Sequence, residues 1–387
     1  MTVVSQPLSR WLRMPYSSTL VMVGFAASEL AVGLGVDTGI RAGSFHDLIF
    51  FVFLPILVFE AAFCIDIRLL RQNLLPVLFL ATVIMLVSAL LTGVGVYYGI
   101  AHPTGFPWIA ALITGALLAA TDPAAVVDQL KSLGASQRLS TLIEGESLFN
   151  DATAIVLFSL FVAAALEPSA PTGVPDMAWQ FLQVFLGGAG VGLAAGVLAV
   201  WLMRVIGHAD TRIVITILAA YGAFFMAESL LHVSGIMATL ICGLVLSRQR
   251  GQLVEGPSQQ QLLVGLWQVA AHLANAFVFL LMGVTVTLAM FQERWLAMLI
   301  AIVAVLVARL ISVYAGLWLL RPLLKPPIDK AWPPVIVWTG LRGSVALALA
   351  LSLPVELEYW WTIQSIAFGV VLFSVFVQAP TARLLIR

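Results

Sequence analysis

The sequence has few charged residues. Lys, Arg, Asp and Glu together make up only 10% of its 387 residues, whereas soluble domains carry about 25%. Apolar residues make up 61% of the chain, and its mean hydropathy is +1.05. This composition excludes an ordinary soluble domain and predicts a polytopic, all-α membrane protein. Positive and negative charges balance to zero, which argues against a nucleic-acid partner.

Cysteine is also scarce. Cys64 and Cys242 are the only two in the sequence, and both lie in apolar segments, so we expect two unreactive thiols rather than a disulfide. No Cys-x-x-Cys pair or His/Cys cluster offers a zinc or haem site, and no cofactor is expected. The first residues, "MTVVSQPLSRWLRMPY", lack the pattern of a cleaved signal peptide.

Apolar runs long enough to cross a bilayer recur along the chain, since a spanning helix needs about 20 residues. We predict about twelve spans in one membrane domain, residues 1–387, at 17–35, 48–65, 74–100, 108–130, 140–165, 178–203, 213–231, 235–247, 262–290, 295–320, 333–353 and 362–382.

The Lys and Arg residues between these spans predict the orientation, because they prefer cytoplasmic loops. With the N-terminus inside, fifteen fall on the cytoplasmic side, and only Arg41 and Arg294 fall outside. The pattern predicts that both termini are cytoplasmic, and we expect the cell (inner) membrane.

This orientation makes predicted helices 3–5 run opposite to predicted helices 10–12, as in inverted-topology repeats whose broken helices meet near the midplane. Helix 4 contains "AATDPAAVVD", where Pro123 removes a backbone donor. Helix 11 contains "TGLRGSVALALAL", where Gly340 and Gly343 flank Arg342. We therefore expect helices 4 and 11 to be broken and to cross.

Charged side chains occur inside these spans, although each costs about 2.5–3.5 kcal/mol at a helix centre on insertion scales. Such groups are either paired or functional. The candidates are Glu29, Glu60, Asp122, Asp128, Glu144, Glu146, Asp151, Glu228, Arg309 and Arg342.

Predicted helix 5, which contains "GESLFNDATAIVLF", holds most of these polar side chains. Glu144, Ser147 and Asp151 share one face, and Glu146 and Asn150 form the adjacent stripe. Asp151 falls near the bilayer midplane, and Asp122 of helix 4 falls at a similar depth.

Structural and functional roles compete for most of the candidates. Glu144 and Glu146 are expected to be partners of the two buried arginines, and Asp128 to be solvated or beside Lys131. Glu29 and Glu228 face water or a vestibule, or serve function, and Glu60 is equally a buried acid or a site residue. His46, His102 and His272 are structural or pH-sensing. Asp122 and Asp151 keep no basic partner, which favours a function for both.

Carboxylate, hydroxyl, amide and main-chain oxygens without sulfur or imidazole select hard cations. Asp151, Asp122, Ser147, Asn150 and the Thr121 carbonyl can supply such a set. A proton and a small cation would compete for one carboxylate, and a site that faces each side in turn would then exchange them. The amide of Asn150 cannot release a proton, so one proton per monovalent cation is the simpler expectation.

Four segments resemble the monovalent cation/proton antiporters of the NhaP/NHE branch. These are "LPILVFEAAFCID", "TDPAAVVD", "GESLFNDATAIVLF" and "WTGLRGSVALALAL", which occur in family order. The resemblance implies exchange of Na⁺, and also Li⁺ or K⁺, for H⁺ in pH and sodium homeostasis. It also implies a homodimer with elevator-like movement in membrane lipid. The core would be 74–165 and 295–383, and the dimerisation scaffold would be 17–65 and 178–290.

The resemblance also implies residue roles. Asp151 would be the principal carboxylate, completed or supported by Asp122, Thr121, Ser147 and Glu60, with Asn150 organising the break. Glu146 would pair with Arg342, and Glu144 with Arg309. Many relatives begin with one more helix, and "SRWLRMPYSS" resembles the junction after it, so we expect that helix to be missing or the chain to start late.

Two other functions fit parts of the pattern. A cation channel lacks support because no span has the continuous polar stripe of a pore. An intramembrane aspartyl protease could use Asp122 and Asp151, but the Gly-x-Gly-Asp and Tyr-Asp contexts are missing, and the arginine-bearing helix would have no role.

Overall fold

Helices form all of the regular secondary structure in the part of the chain that the structure describes. The structure is a computed structural model. It describes residues 16–34, 45–100, 105–123, 127, 130, 136–167, 173–206, 209–253, 257–321, 329 and 332–382.

The helices are numbered here in chain order. They are α1 Tyr16–Gly33, α2 Phe45–Cys64, α3 Ile67–Gln72, α4 Leu74–Gly99, α5 Trp108–Leu117, α6 Gln137–Leu166, α7 Val174–Val205, α8 Ala209–Phe225 with a π turn at Met226–Leu230, α9 Gly235–Leu253, α10 Pro257–Thr285, α11 Leu288–Leu320, α12 Trp332–Trp338, α13 Ser344–Leu351 and α14 Trp360–Thr381.

Each of the predicted apolar segments contains helix in the structure. Among the described residues, eight helices are long and apolar enough to cross a membrane. The protein is therefore a multi-pass membrane protein of the all-α class, as the sequence predicts. The number of crossings, their direction and the repeat relation stay predictions.

Helix boundaries differ from the predicted ones in two regions by five residues or more. Helix α9 continues to Leu253 rather than ending at 247, because its polar end bonds the end of α2. Ser247 Oγ donates to Ile65 O at 3.2 Å, and Arg250 Nη1 donates to Phe63 O at 3.0 Å. Thr287, with extended φ and ψ, separates α10 from α11. Arg294 is consequently part of α11 rather than of a loop.

Both predicted helix breaks are present. Helix α5 ends at Leu117, the backbone is not helical at 119–123, and helical backbone returns at Val127. Helix α12 ends at Trp338, and α13 begins at Ser344 after five residues that are not helical. Each break exposes backbone N–H and C=O groups that hydrocarbon cannot satisfy.

The chain divides into two compact units. The first comprises Met1–Ile49, Leu74–Pro168 and Asn275–Arg387, and its described residues include both breaks and α6. In this unit α4 packs against α5 and α11, and α11 packs against α14. The functional division into core and dimerisation parts stays a prediction.

The second unit comprises Phe50–Asn73 and Ser169–Ala274. Helix α9 packs against both α2 and α7, and the contact with α7 is close because Gly192 lacks a side chain. A Cβ atom at Gly192 would overlap the backbone of Ala238, which is the role that small residues play between membrane helices. Phe59 and Trp267 fill the core of this unit with ring centroids 4.3 Å apart.

Candidate functional site

Helix α6 carries a polar stretch into the interior of the first unit. The exposed fractions of Glu146, Ser147 and Asn150 are 1%, 7% and 0%. Asp151 follows them and is half-buried, but its Oδ1 atom is fully buried and makes no hydrogen bond within the described residues. A buried carboxylate oxygen without a donor is costly unless a proton or a cation joins it. Asp151 therefore has the property that a binding group for a small cation needs.

Two α6 side chains hold the first break in place through Thr121. Asn150 Oδ1 accepts from Thr121 N at 3.2 Å, and Asn150 Nδ2 donates to Thr121 Oγ1 at 2.7 Å. Ser147 Oγ donates to the Thr121 carbonyl. These contacts satisfy the N–H and the carbonyl of a residue that has left its helix; the organising role of Asn150 stays a prediction.

Asp122 joins the first break to the second. Its N–H donates to Leu341 O at 2.8 Å, and its Oδ2 accepts from Ser344 Oγ at 3.2 Å. The Ser344 N–H points to the same oxygen at 3.4 Å. Gly343 makes this approach possible, because a Cβ atom there would overlap the Asp122 side chain. The carboxylate thus lies at the N-terminal end of α13, where a helix favours negative charge.

Arg342 makes the opposite connection. Its side chain is 1% exposed, and Nη1 donates to Ala119 O at 2.7 Å and to Ala120 O at 3.0 Å. These carbonyls follow the end of α5, where a helix favours positive charge. Each break therefore supplies the charged side chain that stabilises the helix end at the other break.

Arg309 of α11 forms the ion pair of this region. Its Nη1 lies 2.6 Å from Glu146 Oε1, both side chains are buried, and Nη2 reaches Ile336 O near the end of α12 at 3.4 Å.

This pair corrects the expected partners. Glu146 was expected to pair with Arg342 and Glu144 with Arg309, but Arg309 pairs with Glu146. Arg342 instead directs its guanidinium to the backbone carbonyls of the first break. The physical reason is that the interrupted α5 leaves carbonyls in the interior that need a donor. Glu144 is half-buried in α6.

The structure thus brings together most of the predicted site residues. Asp122, Asp151 and Arg342 are close enough for the charges of the other two to act on Asp151. Glu60 belongs to the second unit, where it lies beside Cys64 in α2. Its part in the ion site stays a prediction.

The remaining candidates have other surroundings. Glu228 Oε2 accepts from Gly235 N at 2.9 Å and so stabilises the start of α9. Glu29 is half-buried in α1, and His272 is exposed in α10. His46 Nδ1 lies 3.0 Å from Ser352 O. Asp128, Lys131 and His102 lie outside the described residues, and Cys64 and Cys242 are both free.

Sequence reasoning missed three polar residues in the hydrogen-bond contacts around the second break. Ser344 contacts Asp122, Ser374 Oγ accepts from Arg342 N at 3.2 Å, and Gln378 Oε1 accepts from Ser374 Oγ at 2.6 Å. The available signal was a Ser and a Gln four residues apart in the last span, but Thr362, Gln364 and Ser365 of the same span show that polar residues there are not singled out by composition.

The oxygen atoms around the breaks suit a small hard cation. Asp151 and Asp122 supply carboxylates, and Ser147 Oγ and the Thr121 carbonyl are neutral ligands. The hydrogen bond between Ser147 and Thr121 leaves lone pairs on both oxygens, so it is compatible with their binding a cation.

Known proteins are similar to this chain in sequence and in fold. The family model described as "Sodium/hydrogen exchanger, transmembrane" matches residues 1–387. The Na(+)/H(+) antiporter ApNhaP of Aphanothece halophytica is 35% identical over 99% of this chain and 71% of its own length. The Na(+)/H(+) antiporter NhaH of Halobacillus dabanensis is 33% identical over 98% of this chain and 93% of its own.

The solved sodium proton antiporter MjNhaP1 of Methanocaldococcus jannaschii has a similar fold. It superposes with a TM-score of 0.80 at 20% identity, covering 100% of this chain and 95% of that one. Interrupted membrane helices that meet beside carboxylates are typical of secondary transporters, and the relatives are named as antiporters, which are transporters rather than enzymes. The chain belongs to the sodium/hydrogen exchanger family. Membership supports cation–proton exchange and favours neither the channel nor the protease.

Proposed function

We propose that this protein exchanges Na⁺ for H⁺ across the membrane and that both ions bind Asp151. One observation carries the proposal: the buried Oδ1 of Asp151 has no hydrogen-bond donor among the described residues, beside two broken helices. The two antiporters to which the chain was compared above are named for exchange of these ions.

Competition for one carboxylate links the two ions. A carboxylate in a low-dielectric site needs a positive partner, and either a proton or Na⁺ meets that need. Asp122, Ser147 Oγ and the Thr121 carbonyl complete the ligand set for the cation. Exchange follows if the loaded site opens to each side in turn, because the empty charged site is unfavourable. Li⁺ and K⁺ bind the same oxygen ligands and are further transported ions.

One proton for one monovalent cation is the proposed stoichiometry. Asn150 stands next to Asp151, and both its amide oxygen and its amide nitrogen bond Thr121. An amide does not release a proton, so this position adds no second transported proton. The exchange is therefore electroneutral.

The wider setting is also proposed. Both termini lie in the cytoplasm, in agreement with the distribution of Lys and Arg, and the membrane is that of the cell. The protein acts as a homodimer with elevator-like movement of its core, and serves pH and sodium homeostasis.

Asp151→Asn tests the proposal because it preserves size while removing the charge. The assay uses sealed vesicles with an internal pH dye. We expect the variant protein to be present in the membrane in normal amounts but to show no pH change when Na⁺ is added. Glu356→Gln, at an exposed position, is the matched control and keeps the response. Repeating the assay with Li⁺, K⁺ and an imposed potential tests selectivity and electroneutrality. Normal exchange by Asp151→Asn would refute the site.

A further inference from the structure

The peptide unit between Leu341 and Arg342 is held from both sides. Its carbonyl oxygen, on Leu341, accepts from Asp122 N at 2.8 Å. Its N–H, on Arg342, donates to Ser374 Oγ at 3.2 Å. The peptide is planar, and its C=O and N–H point in opposite directions. Fixing the N–H therefore also fixes the direction of the carbonyl that meets Asp122.

The acceptor of that N–H is itself oriented by a further contact. The hydroxyl hydrogen of Ser374 is committed to Gln378 Oε1, 2.6 Å away, which leaves the oxygen lone pairs for Arg342. Ser374 and Gln378 are 1% and 3% exposed, so water does not replace either contact. They are the first and last residues of a π turn in α14, a local widening that is frequent at functional sites.

We propose that Ser374, oriented by Gln378, is a positioning residue for cation binding. It fixes the Leu341–Arg342 peptide, and through that peptide it fixes the backbone of Asp122. The guanidinium of the same Arg342 holds the carbonyls of Ala119 and Ala120, just before Thr121. Both cation-binding residues of the first break therefore depend on where Ser374 places this peptide.

The inference rests on the proposed function, since it concerns affinity for the cation at Asp122 and Asp151. Ser374→Ala leaves the Arg342 N–H buried without its acceptor and frees the peptide to rotate. We expect the KM for Na⁺ to rise about tenfold, the factor that one hydrogen bond of about 1.4 kcal/mol represents, with little change in the maximal rate per transporter.

Three further variants test whether the change in KM comes from the Ser374 hydroxyl. Ser374→Thr keeps the hydroxyl and restores a low KM. Gln378→Leu keeps Ser374 but frees its hydroxyl hydrogen, and raises KM by a smaller factor. Ser365→Ala is the matched control in α14, because Ser365 is 0% exposed and donates to Trp361 O of its own helix at 2.7 Å. It leaves KM unchanged.

The experiment measures initial exchange rates against Na⁺ concentration for purified protein in proteoliposomes, normalised to the protein incorporated. A merely structural role would lower the amount incorporated but not change KM. An unchanged KM in both Ser374→Ala and Gln378→Leu would overturn the inference, as would an equal rise in Ser365→Ala. If Ser374→Ala does not fold, Gln378→Leu decides alone. Asp151→Asn in the same assay separates the positioning role of Ser374 from the ion site at Asp151. If Asp151→Asn exchanged at a normal rate, the proposed ion site itself would be refuted.

Discussion

The ion pair between Arg309 and Glu146 allows a direct test of how this interior is assembled. The two charged atoms are 2.6 Å apart, and the side chains are only 5% and 2% exposed. Glu146→Gln would leave a buried guanidinium with one long contact to Ile336 O at 3.4 Å. Removing one partner of a buried pair costs about 3–5 kcal/mol, because the remaining charge is uncompensated.

The double variant is expected to recover much of this loss. Arg309→Met together with Glu146→Gln removes both charges, and replacement of a whole buried pair by groups of similar volume is often nearly neutral. We therefore expect a coupling energy of about 2–3 kcal/mol between these positions, at the upper end for residues in contact. The measurement is the free energy of unfolding of the four proteins in mixed micelles.

The control is a second double-mutant cycle on Glu144 and Arg309. Glu144 is the partner of Arg309 that the resemblance implied. Glu144→Gln and Arg309→Met should be additive to within about 0.5 kcal/mol, because the ion pair of Arg309 is formed by Glu146 and independent sites add. A large coupling in this cycle, together with additivity in the Glu146 cycle, would refute the observed pairing and restore the expected one.

Two further predictions concern the site itself. Gly343→Ala should abolish exchange, because its Cβ atom would overlap Asp122 and overpacking displaces the break. Gly190→Ala is the control, at a position with open space around it, and should exchange normally. The measurement compares the exchange rates of the two variants in vesicles. Lowering the pH should raise the apparent KM for Na⁺, because protons occupy the carboxylate that binds Na⁺; an affinity that does not change with pH over the active range would show that the two ions do not share Asp151.

The positions of the helices and of both breaks could be predicted from the sequence because these features are local. Apolar runs set the helices, Pro123 interrupts one span, and Gly340 and Gly343 interrupt another. The clustering of polar residues on α6 was equally visible, since helical spacing alone decides which residues share a face.

The pairing of charges could not be predicted because it depends on how α6 is rotated about its axis. Glu144 and Glu146 are two residues apart, which separates them by about 200° around a helix. Either can meet an arginine from another helix, and sequence alone does not choose. The structure turns Glu146 inward, to 1% exposure, and leaves Glu144 half-buried.

Ser374 illustrates a different limit. A serine in a membrane helix commonly bonds a carbonyl of its own preceding turn, as Ser365 does with Trp361. The sequence does not single out Ser374, because the partner that gives it a role at the break, Arg342, is more than thirty residues away. Its role depends on the distant break, which becomes visible only when the helices are packed.

The assignment of the arginines explains why Asp151 can carry an ion. A cation fixed beside that carboxylate would neutralise it permanently and leave no need for Na⁺ or a proton. Arg309 is engaged by Glu146, and the guanidinium of Arg342 is directed to Ala119 and Ala120. The ion pair of Arg309 and the guanidinium hydrogen bonds of Arg342 thus go to groups other than Asp151, although Arg342 is close enough for its charge to act on that carboxylate. The first break itself creates the demand on Arg342 through its unpaired carbonyls. Interrupting the helices therefore does two things at once: it supplies oxygen ligands, and it occupies the arginine that would otherwise block the site.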